Sequence, residues 1–250
     1  MALLNDEGIN NIILAGEIIH KIFKQIEKMD LKGMTTADLN DYIHNKITEC
    51  RGKPAFLGYR GFPKSACISL NNEVVHGIPD ERVIKSGDLV KVDVGVSYNG
   101  YIADAARTFV VGSVPKNVLR FIDLTKQALK KGIEKATAGN HISDISQAIQ
   151  RLVEENGYSV VRELTGHGVG RSLHEEPMIP NFIARGPDPK LVPNMALAIE
   201  PMTNMGGFEV KTADNGWTIL TLDGSLSAHF EDTVIILQNG ILNATKVVEN

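Results

Sequence analysis

The stretch from residue 87 to residue 111, GDLVKVDVGVSYNGYIADAARTFVV, decides the fold. From position 90 to position 96 every second residue is valine, which is the pattern of a strand with one apolar face. Asn99-Gly100 follows and is the strongest short-range signal for a two-residue hairpin turn. The stretch therefore predicts an antiparallel hairpin in which Tyr98 pairs with Tyr101.

This register brings two aspartates together. Gly95 then lies opposite Asp104, and Asp93 lies opposite Ala106. Asp93 and Asp104 become diagonal neighbours on one face, roughly 7 Å or less apart at Cβ. Two carboxylates among small residues repel each other unless a cation or a shared proton relieves them. The alternative is a solvent-facing sheet edge whose aspartates only keep the protein soluble.

Two helices precede the hairpin. Residues 6–29 carry isoleucines at helical spacing with charged residues on the other side, which predicts an amphipathic helix. Thr35 or Thr36 can cap a second helix with its own apolar face. Strand-rich sequence follows from about residue 66 to 111.

The same order of elements then returns. Ser113 and Pro115 suit the start of a third helix. Residues 142–156 predict a fourth helix that stops at Gly157. Strand-like sequence fills most of residues 158–237. The chain thus runs helix, helix, strands, twice over.

A short internal match also suggests a duplication. His76-Gly77-Ile78-Pro79 resembles His174-Glu175-Glu176-Pro177, and each match precedes a strand with an acid near its end. Matches this short also arise by chance. We predict one α+β domain over residues 1–250, made of two pseudo-equivalent halves of about 1–112 and 113–250.

The strands of the second half carry further acids. Glu200 ends the apolar segment ALAIE (196–200), and Glu231 lies in SAHFEDTVIIL (227–237). A buried unpaired carboxylate costs several kcal/mol or takes up a proton, whereas a metal ion compensates its charge. Four acids on strands together with His167 suit two divalent first-row ions about 3.5–4 Å apart, a hydrolytic arrangement.

The glycine-rich stretch LTGHGVGRSLHEEP (164–177) contains His167 and His174. Such a stretch can cradle phosphate, cap a helix or hold a metal. A phosphate loop would lead from a strand into a helix, but Pro177 and Pro180 would end any helix early. We predict that the glycines let backbone and substrate approach the metal closely.

Composition narrows the cellular setting. The formal net charge is −4 and no basic run stands out, so we expect no nucleic-acid partner. Cys50 and Cys67 cannot make a disulfide framework, which favours a reducing compartment. The first residues are acidic where a signal peptide would be basic, and no segment approaches 18 uninterrupted apolar residues. We expect a soluble, cytoplasmic protein without a membrane partner.

These residues resemble a known family. The ordered set Asp93, Asp104, His167, Glu200 and Glu231, with SLNNEVVHGIP before it and GHGVGRSLHEEP inside it, strongly resembles the methionine aminopeptidases. The compact, bacterial-like type I form fits best, and the resemblance covers essentially the whole chain. It implies the pita-bread fold, in which two pseudo-symmetric ααβ halves around a central antiparallel sheet enclose a dinuclear metal site.

The resemblance implies a role for each ligand. Asp93 would chelate one ion, Asp104 and Glu231 would bridge both, and His167 and Glu200 would complete the other shell. The ions would be Co²⁺, Mn²⁺, Fe²⁺ or Zn²⁺, and they would activate a water molecule as the nucleophile. Glu200 would also act as general base or proton shuttle.

The resemblance also implies how substrate is held. His76 and His174 would flank the scissile amide and donate hydrogen bonds to substrate and developing oxyanion. The free amino terminus of the substrate would bind a metal, making the protein an exopeptidase. The methionine side chain would enter a pocket formed by Tyr59, Phe62, Cys67, Leu173 and Trp217.

The activity implied is hydrolytic removal of N-terminal methionine from nascent proteins and peptides with a small second residue. Their N-termini would be the partners, contact with the ribosome would suit this role, and we expect a monomer. One alternative is an X-Pro peptidase of the same fold, although those usually carry an extra N-terminal domain and lack the Tyr59…Cys67 pattern. A non-catalytic pita-bread binding protein is another, although such relatives have usually lost metal ligands.

Several positions depart from the common bacterial pattern. Phe62 stands where tyrosine is frequent, Leu173 where an aromatic residue is frequent, and Ala105 where a hydroxyl could hydrogen-bond the preceding acid. His229-Phe230-Glu231-Asp232 replaces Gln-Phe/Tyr-Glu-His. Two interpretations of His229 are open. Its side chain contacts the substrate amine or the metal shell, or it has a structural role, which is commoner for a lone histidine on a strand.

Overall fold

The computed structural model of the chain describes residues 3–246. Its α-helices are α1 (Asp6–Ile26), α2 (Thr36–Glu49), α3 (Lys116–Lys135) and α4 (Ile142–Glu155), and a short 3₁₀ helix spans Tyr59–Gly61. The strands of the first half are β1 (Lys53–Pro54), β2 (Cys67–Leu70), β3 (Glu73–Val75), β4 (Leu89–Tyr98) and β5 (Tyr101–Val110). Those that follow are β6 (Ser159–Val160), β7 (Thr165–Gly168), β8 (Glu175–Pro180), β9 (Ala196–Ile199), β10 (Met202–Asn204), β11 (Val210–Thr212), β12 (Ile219–Thr221), β13 (Ser227–His229), β14 (Asp232–Ile236) and β15 (Ile241–Asn243). Residues 1–2 and 247–250 of the predicted domain lie outside the described residues.

The helix boundaries follow from local chemistry. The Thr35 hydroxyl accepts a hydrogen bond from the Asp38 amide, and the Asp38 carboxylate accepts one from the Thr35 amide, so a capping box begins α2. Thr35 is therefore the cap, and Thr36 is the first helical residue. Helix α1 ends at Ile26, three residues earlier than its sequence pattern predicts. Gly157, with φ +80°, follows the end of α4 as predicted.

The predicted hairpin is confirmed in its register. Tyr98 pairs with Tyr101, Gly95 with Asp104, and Asp93 with Ala106. Both turn residues have positive φ, Asn99 at +48° and Gly100 at +79°. A type I′ turn requires this conformation, and asparagine and glycine adopt it most readily. The turn sequence thus fixes which side chains of β4 and β5 share a face.

Two larger antiparallel sheets carry the chemistry. Strand β4 pairs with β1, β2 and β5, and the second sheet has the strand order β15-β14-β9-β7-β8. A bridge between Ala106 of β5 and Glu231, just before β14, joins these sheets. Two smaller sheets have the orders β13-β10-β6 and β11-β12-β3. The bridge brings the hairpin acids to the acids of the second half.

Each pair of helices packs on its own part of the strands. Helix α1 packs on β4 and β5, whereas α4 packs on β6 and β8 and contacts α3. Two main apolar clusters result, one around α1, α2, β4 and β5, the other around α3, α4, β9 and β14. The α+β class is confirmed, whereas the boundary at about 112/113 stays a prediction. Among the described residues, no helix is both long and apolar enough to span a membrane.

Candidate metal centre

Two groups of side chains converge where the sheets meet. The ligand atoms of Asp104, His167 and Glu231 lie within 4.8 Å of one another. Those of Glu200, His229 and Glu231 do the same. Four of the five predicted ligands thus fall in these groups, and Glu231 belongs to both. Asp93 is in neither group.

Backbone contacts hold the acids in place. The Asp104 amide donates to Thr233 Oγ1, and that hydroxyl donates to the Asp104 carbonyl, both at 2.8 Å. Glu231 exchanges backbone hydrogen bonds of 3.0 and 3.3 Å with Ala106. Arg107 donates to the Glu231 carbonyl at 2.5 Å. These contacts keep β5 against the strand that follows Glu231, so the positions of both acids are fixed together.

Three of the carboxylates are incompletely partnered. Asp93 Oδ1, Asp104 Oδ1 and Glu231 Oε1 are buried without a hydrogen-bond partner. Burial, then repulsion by neighbouring carboxylates, raises the pKa of Asp93 and of Glu231 well above the usual range. Burial raises the pKa of Asp104 to about 7. Such a cluster is compensated by a cation, and hard oxygen donors suit a divalent one.

Glu200 directly follows β9 and lies between two imidazoles. Its Oε1 is 3.7 Å from His167 Nε2 and its Oε2 is 3.2 Å from His229 Nε2. Burial raises the pKa of Glu200 well above its usual range, and the charge of Asp104 adds to this. The carboxyl therefore adjoins both groups of candidate ligands.

His167 is held in the tautomer that a metal ligand needs. Its Nδ1 lies 3.0 Å from the Gly168 carbonyl oxygen. A carbonyl can only accept, so Nδ1 carries the proton and Nε2 keeps its lone pair. Burial, and then the charge of His174, lowers the pKa of His167 to about 3. At neutral pH the ring is uncharged and presents a lone pair to the acids.

The glycines beside His167 serve strand packing. A Cβ on Gly166 would lie 2.5 Å from the Ala198 carbonyl oxygen, and one on Gly168 would lie 2.2 Å from the Glu176 carbonyl oxygen. Strands β8 and β9 approach β7 too closely for any side chain at either position. No helix follows β7, because β8 is the next element. The interpretation as a phosphate loop is thereby excluded.

His76 and His174 lie at the edge of the acids. His174 is exposed, its Nδ1 is 2.8 Å from the Tyr59 hydroxyl, and its ring centroid is 4.2 Å from that of His167. His76 follows β3 with φ +57°, a strained conformation for a residue with a side chain. Burial, then His174, lowers the pKa of His76 to about 4, and the partial burial of its ring, then Arg60, lowers the pKa of His174. Neither belongs to a group of converging ligand atoms.

The predicted pocket residues lie close to these acids. Cys67 of β2 pairs with Asp93 of β4, and the rings of Phe62 and Trp217 meet edge to face at 5.2 Å between centroids. Burial, and then the charge of Asp93, raises the pKa of the Cys67 thiol, which keeps it protonated and apolar. All five residues belong to or pack against one apolar cluster: Tyr59, Phe62, Cys67, Leu173 and Trp217.

Known proteins are similar to this sequence along nearly its whole length. The profile of Metallopeptidase family M24 matches residues 10–238. The chain belongs to metallopeptidase family M24. The methionine aminopeptidase of Clostridium perfringens is 48% identical over 238 residues, which cover 95% of this chain and 96% of that protein. This similarity shows that the chain is an enzyme, a metallo-aminopeptidase.

Solved structures agree with this assignment. The crystal structure of methionine aminopeptidase from Thermotoga maritima matches with a TM-score of 0.96 and 39% identity, covering 99% of this chain and 100% of that chain. Prolidase from Pyrococcus furiosus matches with a TM-score of 0.80 and 26% identity, covering 98% of this chain but 65% of the prolidase. The predicted pita-bread fold is confirmed.

His229 lies among the candidate ligands, although a lone histidine on a strand more often has a structural role. A structural role was the favoured interpretation, yet the ring lies in one of the two groups of converging ligand atoms. The available signal was its spacing: residues 229 and 231 flank one position of an extended segment, so their side chains point the same way. This spacing indicates that the His229 ring lies on the same face as the candidate ligand Glu231.

Proposed function

We propose that this protein removes N-terminal methionine from peptides and nascent proteins whose second residue is small. The observation that carries the proposal is the meeting of three carboxylates, those of Asp104, Glu200 and Glu231, with the neutral imidazole of His167, close to an apolar cluster. Membership of a family of metallopeptidases, with relatives named methionine aminopeptidase, supports the same function.

The ligand set of the proposal is Asp93, Asp104, His167, Glu200 and Glu231, holding two divalent ions. The unpartnered oxygens of Asp93, Asp104 and Glu231 fit this role because they are buried acceptors that lack a donor. Bound ions would supply Lewis-acid polarisation and an activated water at neutral pH. Oxygen donors with few imidazoles are compatible with Co²⁺, Mn²⁺, Fe²⁺ or Zn²⁺.

The protein's own side chains would handle protons and orientation. Glu200 would accept a proton from the attacking water and pass it to the leaving amine. His76 and His174 would donate hydrogen bonds to the substrate amide and to its developing oxyanion. Their lowered pKa values leave both rings neutral at pH 7, and a neutral imidazole still has one N–H to donate.

Specificity would come from the apolar pocket. Tyr59, Phe62, Cys67, Leu173 and Trp217 would surround the methionine side chain, and the protonated Cys67 thiol adds no charge to a thioether site. The substrates would be free N-termini, including those emerging from the ribosome. We further propose a cytoplasmic monomer.

An assay on two peptides tests this proposal. The metal-free protein is titrated with each divalent ion and offered Met-Ala-Ser or Gly-Pro. We expect methionine release from Met-Ala-Ser only after metal is restored, and no cleavage of Gly-Pro. Cleavage of Gly-Pro without cleavage of Met-Ala-Ser would establish the prolidase alternative, which the likeness to a solved prolidase keeps in view.

A further inference from the structure

His229 has an orphaned nitrogen inside the site. The residue is 1% exposed at the end of β13, and its Nε2 is buried without a hydrogen-bond partner. That nitrogen lies 3.2 Å from Glu200 Oε2. The two atoms are close, yet they lack the alignment of a donor and an acceptor. A side chain that served only to position Glu200 would aim its N–H at the carboxylate.

The backbone of His229 is fixed from the opposite strand. Its amide donates to Thr108 Oγ1 at 3.0 Å, and that hydroxyl donates to the His229 carbonyl at 2.8 Å. Thr233 makes the same pair of contacts with Asp104. Thr108 of β5 thus holds His229, and Thr233 of β14 holds Asp104, so one threonine fixes the backbone of one member of each converging group. His229 is held as firmly as a predicted ligand.

Each of the two groups of converging ligand atoms contains one histidine. His167 converges with Asp104 and Glu231, whereas His229 converges with Glu200 and Glu231. Glu231 is common to both, as a carboxylate that bridges two ions would be. The resemblance implies that His167 and Glu200 share one ion, whereas this grouping pairs Glu200 with His229, so that each of two neighbouring cation positions would have one imidazole.

We propose that His229 is a sixth metal ligand, which binds through Nε2 the ion held by Glu200 and Glu231. This rests on the proposed dinuclear site and adds a donor that the family pattern, with glutamine at this position, does not have. A second nitrogen donor favours Zn²⁺ and Co²⁺ over Mn²⁺, because imidazole suits later first-row ions and carboxylate suits Mn²⁺. His229 would therefore shift the metal preference of this chain.

X-ray absorption on the zinc-loaded protein counts imidazoles directly. The wild type and His229→Gln are each loaded with two equivalents of Zn²⁺, and His174→Gln serves as the matched control for loss of a nearby histidine. We expect two imidazoles per zinc pair in the wild type and in His174→Gln, and one in His229→Gln. An equal count in the wild type and His229→Gln would overturn the proposal.

The same experiment separates this proposal from the proposed function. If the wild type binds two zinc ions with a single imidazole, the dinuclear site stands and the role of His229 fails. If the wild type does not bind two ions, the proposed metal site itself fails.

Binding measurements give a second readout. Calorimetry should show that His229→Gln loses affinity for one of the two ions by at least about tenfold and prefers Zn²⁺ over Mn²⁺ less than the wild type does. Equal affinities and preferences would contradict the proposal. If His229→Gln does not fold, the ¹⁵N NMR spectra of the histidine rings of the wild type provide the test. The ¹⁵N resonances of two rings should shift when zinc is added. A shift in one ring alone would contradict the proposal.

Discussion

His174 reaches the site from the residue before β8, and its Nδ1 lies 2.8 Å from the Tyr59 hydroxyl. Its ring is tilted by 59° to that of His167 and belongs to neither group of converging ligand atoms. His174→Ala should therefore bind both ions as the wild type does, while kcat falls by roughly 10²–10³-fold because an oxyanion donor is lost. Metal analysis with steady-state kinetics checks this. Loss of metal from the variant would show that His174 is a ligand.

Metal binding should release protons below neutral pH. Without a cation, burial raises the pKa of Asp104 to about 7, and burial with mutual repulsion raises the pKa of Glu231 well above its usual range. At pH 6 these carboxyls hold protons that a ligand must give up. Affinity should thus rise, and proton release fall, as pH rises through about 7. His167 releases no proton when the metal binds, because its pKa of about 3 leaves the ring neutral in this pH range.

Calorimetry of Mn²⁺ binding at pH 6 and pH 8, in buffers that differ in ionisation enthalpy, measures this release. No proton release at pH 6 would mean that the acids are already ionised in the metal-free protein, and equal, non-zero release at both pH values would mean that none of them titrates between pH 6 and pH 8.

Strand β14 is tied to β5 through Thr233. The Thr233 hydroxyl accepts a hydrogen bond from the Asp104 amide and donates one to the Asp104 carbonyl. Thr233→Val removes both bonds and leaves the buried Asp104 amide unpaired. Unfolding free energy should fall by about 1–3 kcal/mol, and metal affinity should fall with it. Denaturant unfolding and calorimetry provide the two measurements. Thr233→Ser keeps the hydroxyl and should retain metal affinity; equal losses in both variants would show that the methyl group matters instead.

The hairpin was predictable because everything that defines it is local. Asn99-Gly100 selects the turn, and the turn sets the register that places Asp93 and Asp104 on one face. The tight packing around β7 could be predicted only in part from the sequence. The glycines at 166 and 168 signalled close approach, but which strands approach depends on pairings that no local pattern contains.

At the scale of the whole molecule, the site forms where distant strands meet. Ala106 and Glu231 are joined by a bridge between residues far apart in the chain, and spacing alone did not indicate that bridge. Acids on apolar strands already indicate a shared metal site, whereas the roles of Asp104 and Glu231 as the bridging pair come from the family resemblance. His229 illustrates the limit of that resemblance, since its position departs from the family pattern and only the packing of the strands places its ring beside Glu200.

The proposed function requires that two ions lie among Asp93, Asp104, His167, Glu200 and Glu231. A crystal structure of the Mn²⁺-loaded protein, with anomalous scattering at the manganese edge, tests it most directly. We expect two anomalous peaks about 3.5–4 Å apart among these five side chains. A single peak outside them, or none at a metal concentration that supports methionine release, would contradict it.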